Sequence, residues 1–318
     1  MSEKMKFFEQ KFKHPYNIDD TDRFLEQHPE LDKKIEKLIW AYHEIGDVIP
    51  QYIGKLWSGH NFPYNESYYE IECSLQLTKL AFYKYAFIAL RNSLELGMLS
   101  VYWDRNDDAE KTIQNWYNSN EDTPRFTNNV LKKILDIPNL KEFSRQYDLV
   151  KRTTDVFWDL SNYNHTKGYA FSGQNLNLSN FTRFNENAFL VWVEYLEKVV
   201  RLLLTVHILK YPVSLQSTAM FEKFGINEPW GTFLDVYQSE QIKEVLEPDE
   251  LQLLQQISDN DENAKGLADW VNSFPDITEE EIKKQFEEFN MVTPDKTDMI
   301  NGFIKWHTET KNQKEDHS

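Results

Sequence analysis

The chain has 318 residues, of which 40% are hydrophobic and 14% aromatic, and its 35 Lys and Arg against 52 Asp and Glu give a net charge of −17. This much apolar material can fill a large core, which excludes a disordered protein of low hydrophobicity. Only 10 residues are Gly, well below the usual share of ~7%. Long helices are therefore favoured over an α/β sheet with Gly-rich phosphate loops.

Helical periodicity dominates the first two thirds of the chain. Apolar residues recur at helical spacing over 30–57, 66–104, 139–162 and 183–210, which predicts four long helices. The second of these is apolar nearly all round from Leu80 to Trp103, as expected of a central buried helix. Residues 170–180 are rich in Gly, Asn and Ser and are predicted to form a loop.

The pattern changes after Pro212, where the fourth long helix is predicted to end. Shorter helices are predicted over 239–257, 261–273, 278–290 and 295–311. No strand-like alternation is sustained anywhere. We therefore predict an all-α fold, with a bundle of four main helices in residues 1–212 and a smaller acidic helical region in residues 213–318.

Charge supports this division. Residues 222–318 carry 9 positive and 23 negative groups, whereas residues 123–169 carry 8 positive and 5 negative groups. The acidic region would repel a phosphate backbone. It could instead bind a protein partner or cover a basic site on the same chain.

The compartment is inferred from cysteine usage and hydropathy. Cys73 is the single cysteine, so neither an intrachain disulfide nor a Cys-rich zinc site can form. The first residues lack the apolar stretch of a signal peptide, and no segment reaches the ~18 uncharged residues of a membrane span. We expect a protein of the reducing cytoplasm without membrane contact.

No metal or other cofactor is expected. The histidines form neither a His-x-x-His nor a His-Glu-x-x-His pair. Two stretches that start at Asp104 and Asp259 begin like calcium loops, but each has Ala where the loop needs Gly for its sharp turn. Ordinary solvated turns are the better interpretation of both.

A polar seam crosses the apolar central helix. Lys84, Arg91 and Glu95 are seven and four residues apart and so share one helix face, with Asn92 beside them. Charges in a buried helix must be paired or must face a site. An Arg91–Glu95 ion pair at a groove would satisfy this requirement without any function.

A second polar segment closes the third predicted helix. Residues 161–169 combine His165 and Lys167 with two amides and a hydroxyl, and aromatic residues flank them. A histidine with cations and aromatics suits a contact to single-stranded RNA. A helix C-terminus capped by His, Lys and Gly explains the same residues without a function.

Together the segments 90–97 (LRNSLELG) and 160–168 (LSNYNHTKG) resemble the HEPN superfamily of bacterial and archaeal helical bundles, often found in phage-defence and toxin–antitoxin systems. Many members are metal-independent endoribonucleases that work as dimers, with a signature of Arg, four to six residues, and His. Here the signature is split between Arg91 and His165. A linear match exists at Arg201 and His207, with an apolar interior, and composition alone explains it.

The resemblance implies a site in the bundle, with RNA as substrate and a homodimer as the assembly. His165 would act as general acid or base, and Arg91 or Lys167 would stabilise the charged phosphorane. The residues expected to bind substrate are Asn92, Glu95, Tyr163, Asn164 and Arg152.

Two further hypotheses remain open. The chain could be a non-catalytic helical interaction or sensor module with a degenerate site, which the split motif and the acidic region favour. It could also hold a small molecule or nucleotide in a pocket lined by Tyr and Trp, although an ordinary aromatic core explains those residues as well.

Overall fold

The computed structural model describes residues 15–49, 61–104, 110–179, 182–227 and 233–292, and within these ranges it contains α-helices, short 3₁₀ and π turns and no strand. The predicted all-α class is confirmed. In chain order the α-helices are α1 (Pro15–Gln27), α2 (Pro29–Glu44), α3 (Asn61–Lys79), α4 (Tyr83–Trp103), α5 (Glu110–Tyr117), α6 (Leu131–Ile134), α7 (Pro138–Tyr147), α8 (Leu149–Asn164), α9 (Gly173–Leu176), α10 (Glu186–Lys210), α11 (Met220–Phe224), α12 (Val236–Val245), α13 (Pro248–Asn260), α14 (Glu262–Asn272) and α15 (Glu279–Val292).

The helix predicted over 66–104 is two helices, α3 and α4, joined by a tight turn. Ala81 takes a left-handed conformation (φ 60°) at this turn, and the Phe82 N–H donates to the Leu77 carbonyl at 2.7 Å. This bond closes α3 as a Schellman cap, with Ala where Gly is usual. The Asn177 amide donates to the Ala81 carbonyl at 2.8 Å and satisfies it inside the protein.

The helix predicted over 139–162 is likewise two helices, α7 and α8. Asp148 is left-handed (φ 47°), and its carboxylate accepts a hydrogen bond from the Lys151 N–H at 3.4 Å. The left-handed backbone of Asp148 thus ends α7, and its side chain caps α8, which is a common role for Asp at a helix start. The helix predicted over 239–257 is also divided, because Pro248 begins α13.

Most of the other predicted helices correspond to single helices of the structure. The helices predicted over 183–210, 261–273 and 278–290 correspond to α10, α14 and α15. Of the helix predicted over 30–57, residues 30–49 correspond to α2 with a 3₁₀ turn at Ile45–Val48, and residues 50–57 lie outside the described residues. The predicted loop 170–180 contains a 3₁₀ turn at Tyr169–Phe171 and the single turn of α9. The predicted helix 295–311 lies outside the described residues.

The centre of the core is α4, which packs against α3, α8 and α10. The largest fully buried side chains include Tyr42, Tyr83, Phe87 and Trp192. The main core continues beyond Pro212, because Leu234, Ile242 and Leu254 belong to the same cluster of buried side chains. A small second cluster includes Val213, Met220, Phe233, Ala264 and Val271. The division at residue 212 stays a prediction. No helix among those described has both the length and the apolar run that crossing a bilayer requires.

Close helix packing at the centre depends on Gly97. A Cβ atom at this position would lie 2.5 Å from a methyl carbon of Leu203 and 2.7 Å from the Tyr42 hydroxyl. That hydroxyl is fixed by a 2.7 Å hydrogen bond to Ser67, which in turn donates to the Ser93 carbonyl at 2.7 Å. The space at Gly97 therefore lets α2, α3 and α10 approach α4.

We predict opposite effects for two glycine substitutions in helices. Gly97→Ala should lower the free energy of unfolding by about 1–3 kcal/mol, because the buried Leu203 and Tyr42 side chains must move. Gly266→Ala, on α14 with nothing within 4 Å of the added Cβ, should raise it by up to about 1 kcal/mol through helix propensity. Urea denaturation of both variants tests this, and equal stabilities would contradict it.

Candidate functional site

Arg91 lies half-buried between α4 and α8, with its side chain 17% exposed. Its Nε donates to the Ser161 hydroxyl at 3.0 Å, and its two terminal nitrogens lie 3.1 and 3.0 Å from the two oxygens of Glu95. The guanidinium carbon lies 4.8 Å from the centroid of the Phe157 ring, a cation–π contact. Arg91 thereby connects the central helix to the end of α8.

This contact brings Arg91 and His165 to the same region. Ser161 and His165 are four residues apart, and the His165 N–H donates to the Ser161 carbonyl at 3.1 Å. His165 therefore lies one helical turn, about 6 Å along the axis, from the residue that Arg91 contacts. His165 is exposed, and its side chain makes no hydrogen bond or ion pair with any residue in the described ranges.

The turn after α8 is held by a second contact to α4. The Lys84 ammonium donates to the Thr166 hydroxyl at 2.6 Å. Thr166 is left-handed (φ 47°), and the Lys167 N–H donates to the Asn162 carbonyl at 3.0 Å. This is a Schellman cap with Thr where Gly is usual. Because Lys84 meets Thr166 and Arg91 meets Ser161, α4 and α8 run antiparallel here.

Two lysines and two exposed aromatic residues lie near His165 in the chain or contact the turn that follows α8. We call Lys84, Trp158, His165, Lys167 and Tyr169 the His165 surface. Trp158 is 55% exposed and precedes His165 by seven residues, so both lie on one face of α8. Tyr169 is 66% exposed and follows Lys167 by two residues. The surface thus combines an imidazole, two ammonium groups and exposed rings.

On the other side of Arg91, the Glu95 carboxylate faces a pocket of about 360 Å³ that Asn92 also lines. Burial raises the pKa of Glu95 above its usual range, and the neighbouring Arg91 only partly offsets this. The Asn92 amide donates to the Glu70 carboxylate at 3.2 Å. Burial raises the pKa of Glu70 as well, although this hydrogen bond opposes the shift.

Of the remaining predicted site residues, two are exposed next to His165 and two are held in contacts within the fold. Asn164 and Lys167 are exposed beside His165. Tyr163 is buried, because its ring stacks on Phe87 with centroids 4.2 Å apart. Arg152 does not reach the His165 surface by any described contact; it pairs with the buried Glu250 of α13 at 2.7 Å.

The linear Arg-to-His match on α10 is structural. His207 is fully buried, and its Nδ1 lies 2.7 Å from the Leu203 carbonyl. Arg201 contacts Glu197 and Glu247 and donates to the Val245 carbonyl. The six-residue separation places the two side chains on different faces of the helix.

Two residues important to this geometry were missed as site residues. Lys84 was part of the polar seam, and its seven-residue spacing from Arg91 was the available signal. Phe157 carries no such signal, because its role depends on the packing of α8 against α4. Over the described ranges, no group of three or more His, Cys, Asp or Glu could hold a metal ion.

Comparisons of this chain with family models, with curated proteins and with solved structures find no match.

We expect Thr166→Gly to stabilise the protein. A non-glycine residue in the left-handed region costs roughly 1–2 kcal/mol, which exceeds the value of one partly exposed hydrogen bond from Lys84. Thr166→Ala keeps the strain and loses the hydroxyl, so it should be less stable than the wild type. Thermal unfolding of the three proteins checks this order. A melting temperature for Thr166→Gly at or below that of Thr166→Ala would contradict it.

His207 should make stability depend on pH. Burial lowers its pKa to about 4, from the usual 6.5. In the unfolded chain His207 binds a proton below about pH 6.5, whereas in the folded protein it stays neutral down to about pH 4. The contribution of His207 is therefore fully present above pH 6.5 and is lost as the pH falls, by at most roughly 3 kcal/mol.

Urea denaturation of wild type and His207→Gln between pH 4 and 7 measures this effect. As the pH falls, the wild type should lose more unfolding free energy than His207→Gln does. Parallel curves would show that His207 does not carry the dependence.

Proposed function

We propose that this chain is a HEPN-like, metal-independent endoribonuclease of the kind found in bacterial defence and toxin systems. The observation that supports the proposal is the 3.0 Å contact between Arg91 on α4 and Ser161 on α8, which lies one helical turn before His165. A wide separation of Arg91 from the end of α8 would have removed the basis for it.

In the proposed reaction, the 2′-hydroxyl of a ribose attacks the adjacent phosphorus. The O2′–P bond forms, the P–O5′ bond breaks, and the products are a 2′,3′-cyclic phosphate and a 5′-hydroxyl. His165 either accepts the 2′-hydroxyl proton or donates a proton to the leaving 5′-oxygen, a role worth typically 10²–10⁴-fold in rate. The nucleophile is part of the substrate, so no metal is needed to generate it.

The cations have separate roles in this proposal. Lys167 is exposed beside His165 and can approach the phosphate oxygens directly. Arg91 uses three of its five N–H groups on Ser161 and Glu95 at most, so it keeps donors for the charged phosphorane. Trp158 and Tyr169 offer exposed ring faces for unpaired bases, which favours a single-stranded substrate.

The proposal also includes assembly and location. The single Cys73 suits a reducing cytoplasm. The superfamily that the chain resembles works as dimers, and we extend that arrangement to this chain. The acidic region after residue 222 is the part best suited by its charge to a basic protein partner.

A non-catalytic interaction module is the second candidate, and the pairing of the arginines favours it. Glu95 engages Arg91, Glu250 engages Arg152, and Glu197 and Glu247 engage Arg201. Arginines whose charge is already balanced by a carboxylate have fewer free N–H donors and attract a phosphate backbone less strongly. In this reading the His165 surface would be a protein contact, and RNA would remain intact.

We expect wild-type protein to cleave single-stranded RNA in excess EDTA, and His165→Ala to lose at least a hundredfold of that rate. The assay follows a fluorescent oligonucleotide on a denaturing gel, with product ends tested for the cyclic phosphate. His43→Ala is the matched control, because His43 is an exposed histidine on α2 and is expected to leave the rate unchanged.

Two results would overturn the assignment. Equal cleavage by wild type and His165→Ala would exclude His165 as the catalyst. Absence of cleavage by well-folded wild type, over a range of RNA sequences, would favour the interaction module instead.

A further inference from the structure

A recess of about 360 Å³ lies beside the Arg91–Glu95 pair and is lined by α3, α4 and the segment 123–130. Its polar lining residues are Glu70, Asn92, Glu95, Thr123 and Arg125, and Phe126 and Leu99 are among its apolar ones. We call it the Glu70 pocket. The proposed cleavage reaction does not use it.

Glu70 supplies the pocket with a hydrogen-bond acceptor that is only partly satisfied. It is half-buried, and its one hydrogen-bond partner in the described ranges is the Asn92 amide. Glu66 adds repulsion instead of a counter-charge. A carboxylate can only accept hydrogen bonds, so a ligand group that contacts Glu70 must bring a donor, such as an N–H group.

Phe126 and Arg125, which also line the pocket, restrict the chemical class of the ligand further. Phe126 lines the pocket with a buried side chain that stacks on Phe157, with ring centroids 4.5 Å apart, so this wall of the pocket is apolar. Arg125 lines the same pocket, is exposed, and forms no ion pair with an acid in the described part of the chain. The ligand should therefore combine an N–H edge, an apolar face and an anionic group.

A chain of side-chain contacts connects the pocket to the end of α8, which His165 follows. Phe126 stacks on Phe157, and Phe157 supports the Arg91 guanidinium that contacts Ser161. Lys84 and Glu95 lie eleven residues apart on α4, about 16 Å along the helix axis. A single strand only a few nucleotides long could reach both places.

We propose that the Glu70 pocket is a base-selecting subsite, which takes a nucleotide whose base bears an exocyclic amino group, with Arg125 on its phosphate. Adenine (at C6), cytosine (at C4) and guanine (at C2) each carry such a donor, whereas uracil carries only carbonyl oxygens outside its ring and one ring N–H between them. The Glu70 carboxylate accepts from the amino group, and it repels the two oxygens that flank the uracil N–H. This inference rests on the proposed function only for the identity of the polymer as RNA.

The test measures binding without cleavage. Fluorescent hexamers of 2′-O-methyluridine, in which one position at a time carries 2′-O-methyladenosine, 2′-O-methylcytidine or 2′-O-methylguanosine, are titrated into the full chain and followed by anisotropy. These oligonucleotides lack the 2′-hydroxyl that cleavage needs. We expect an amino-bearing base at one position to tighten binding about tenfold over uridine, in line with other specific base contacts.

Two variants assign the effect to the pocket. Glu70→Gln should abolish the preference or turn it toward uracil, because the glutamine amide can donate to the uracil oxygen. Glu66→Gln, one turn earlier on α3 and outside the pocket lining, should keep the wild-type preference. Arg125→Gln should weaken binding of all hexamers to a similar extent, as expected for a phosphate contact.

The outcomes separate this inference from the nuclease proposal. Equal affinities for all four bases, no binding at all, or a preference that survives in Glu70→Gln would overturn the subsite. The subsite would also be overturned if an amine such as spermidine bound tightly and the hexamers did not bind. Cleavage of unmodified RNA by His165→Ala would dismiss His165 as catalyst and leave the subsite standing.

Discussion

The half-burial of the Arg91 guanidinium is the constraint on which the arrangement of the site depends. A charged group at 17% exposure needs its donors satisfied and its charge balanced. Ser161, Glu95 and the Phe157 ring do this from two helices, which fixes the register of α8 against α4. A shift of α8 by one turn would remove the Ser161 and Phe157 contacts and leave Arg91 with Glu95 alone. The position of His165 beside Lys84 follows from that register.

The chemistry of the site is set by competition for Arg91. Glu95 balances the guanidinium, but burial raises the pKa of Glu95, which means that the carboxylate is itself poorly solvated. An anion that reached Arg91 would therefore replace a carboxylate whose charged form is already disfavoured there. Within the described part of the chain, no acid pairs with the exposed Lys167 or the partly exposed Lys84; Lys84 donates to the neutral Thr166 hydroxyl and lies 5.9 Å from the centroid of the Tyr85 ring.

The sequence predicts α10 and the Arg91–Glu95 pair well, because helical spacing is a local property. Asn185 caps α10 and Pro212 follows it, as its pattern indicates. The breaks at Ala81 and Asp148 were missed because neither has the Gly or Pro that marks a chain reversal, and Ala81 is stabilised by Asn177 from another part of the chain. The pairing of Arg152 with Glu250 spans 98 residues, and no local pattern indicates it.

A net charge of −17 does not by itself oppose an RNA substrate. Exposed charges act over about 8 Å at physiological salt, so the groups next to the His165 surface matter more than the total. Part of the acidity after residue 222 is used within the fold, where Glu247 and Glu250 pair with Arg201 and Arg152, and Glu244 pairs with Lys37. These contacts hold α12 and α13 against the bundle and direct their carboxylates toward arginine and lysine. If RNA binds at the His165 surface as proposed, the nearby Lys84 and Lys167 would contribute more to the local field than the paired carboxylates of α12 and α13.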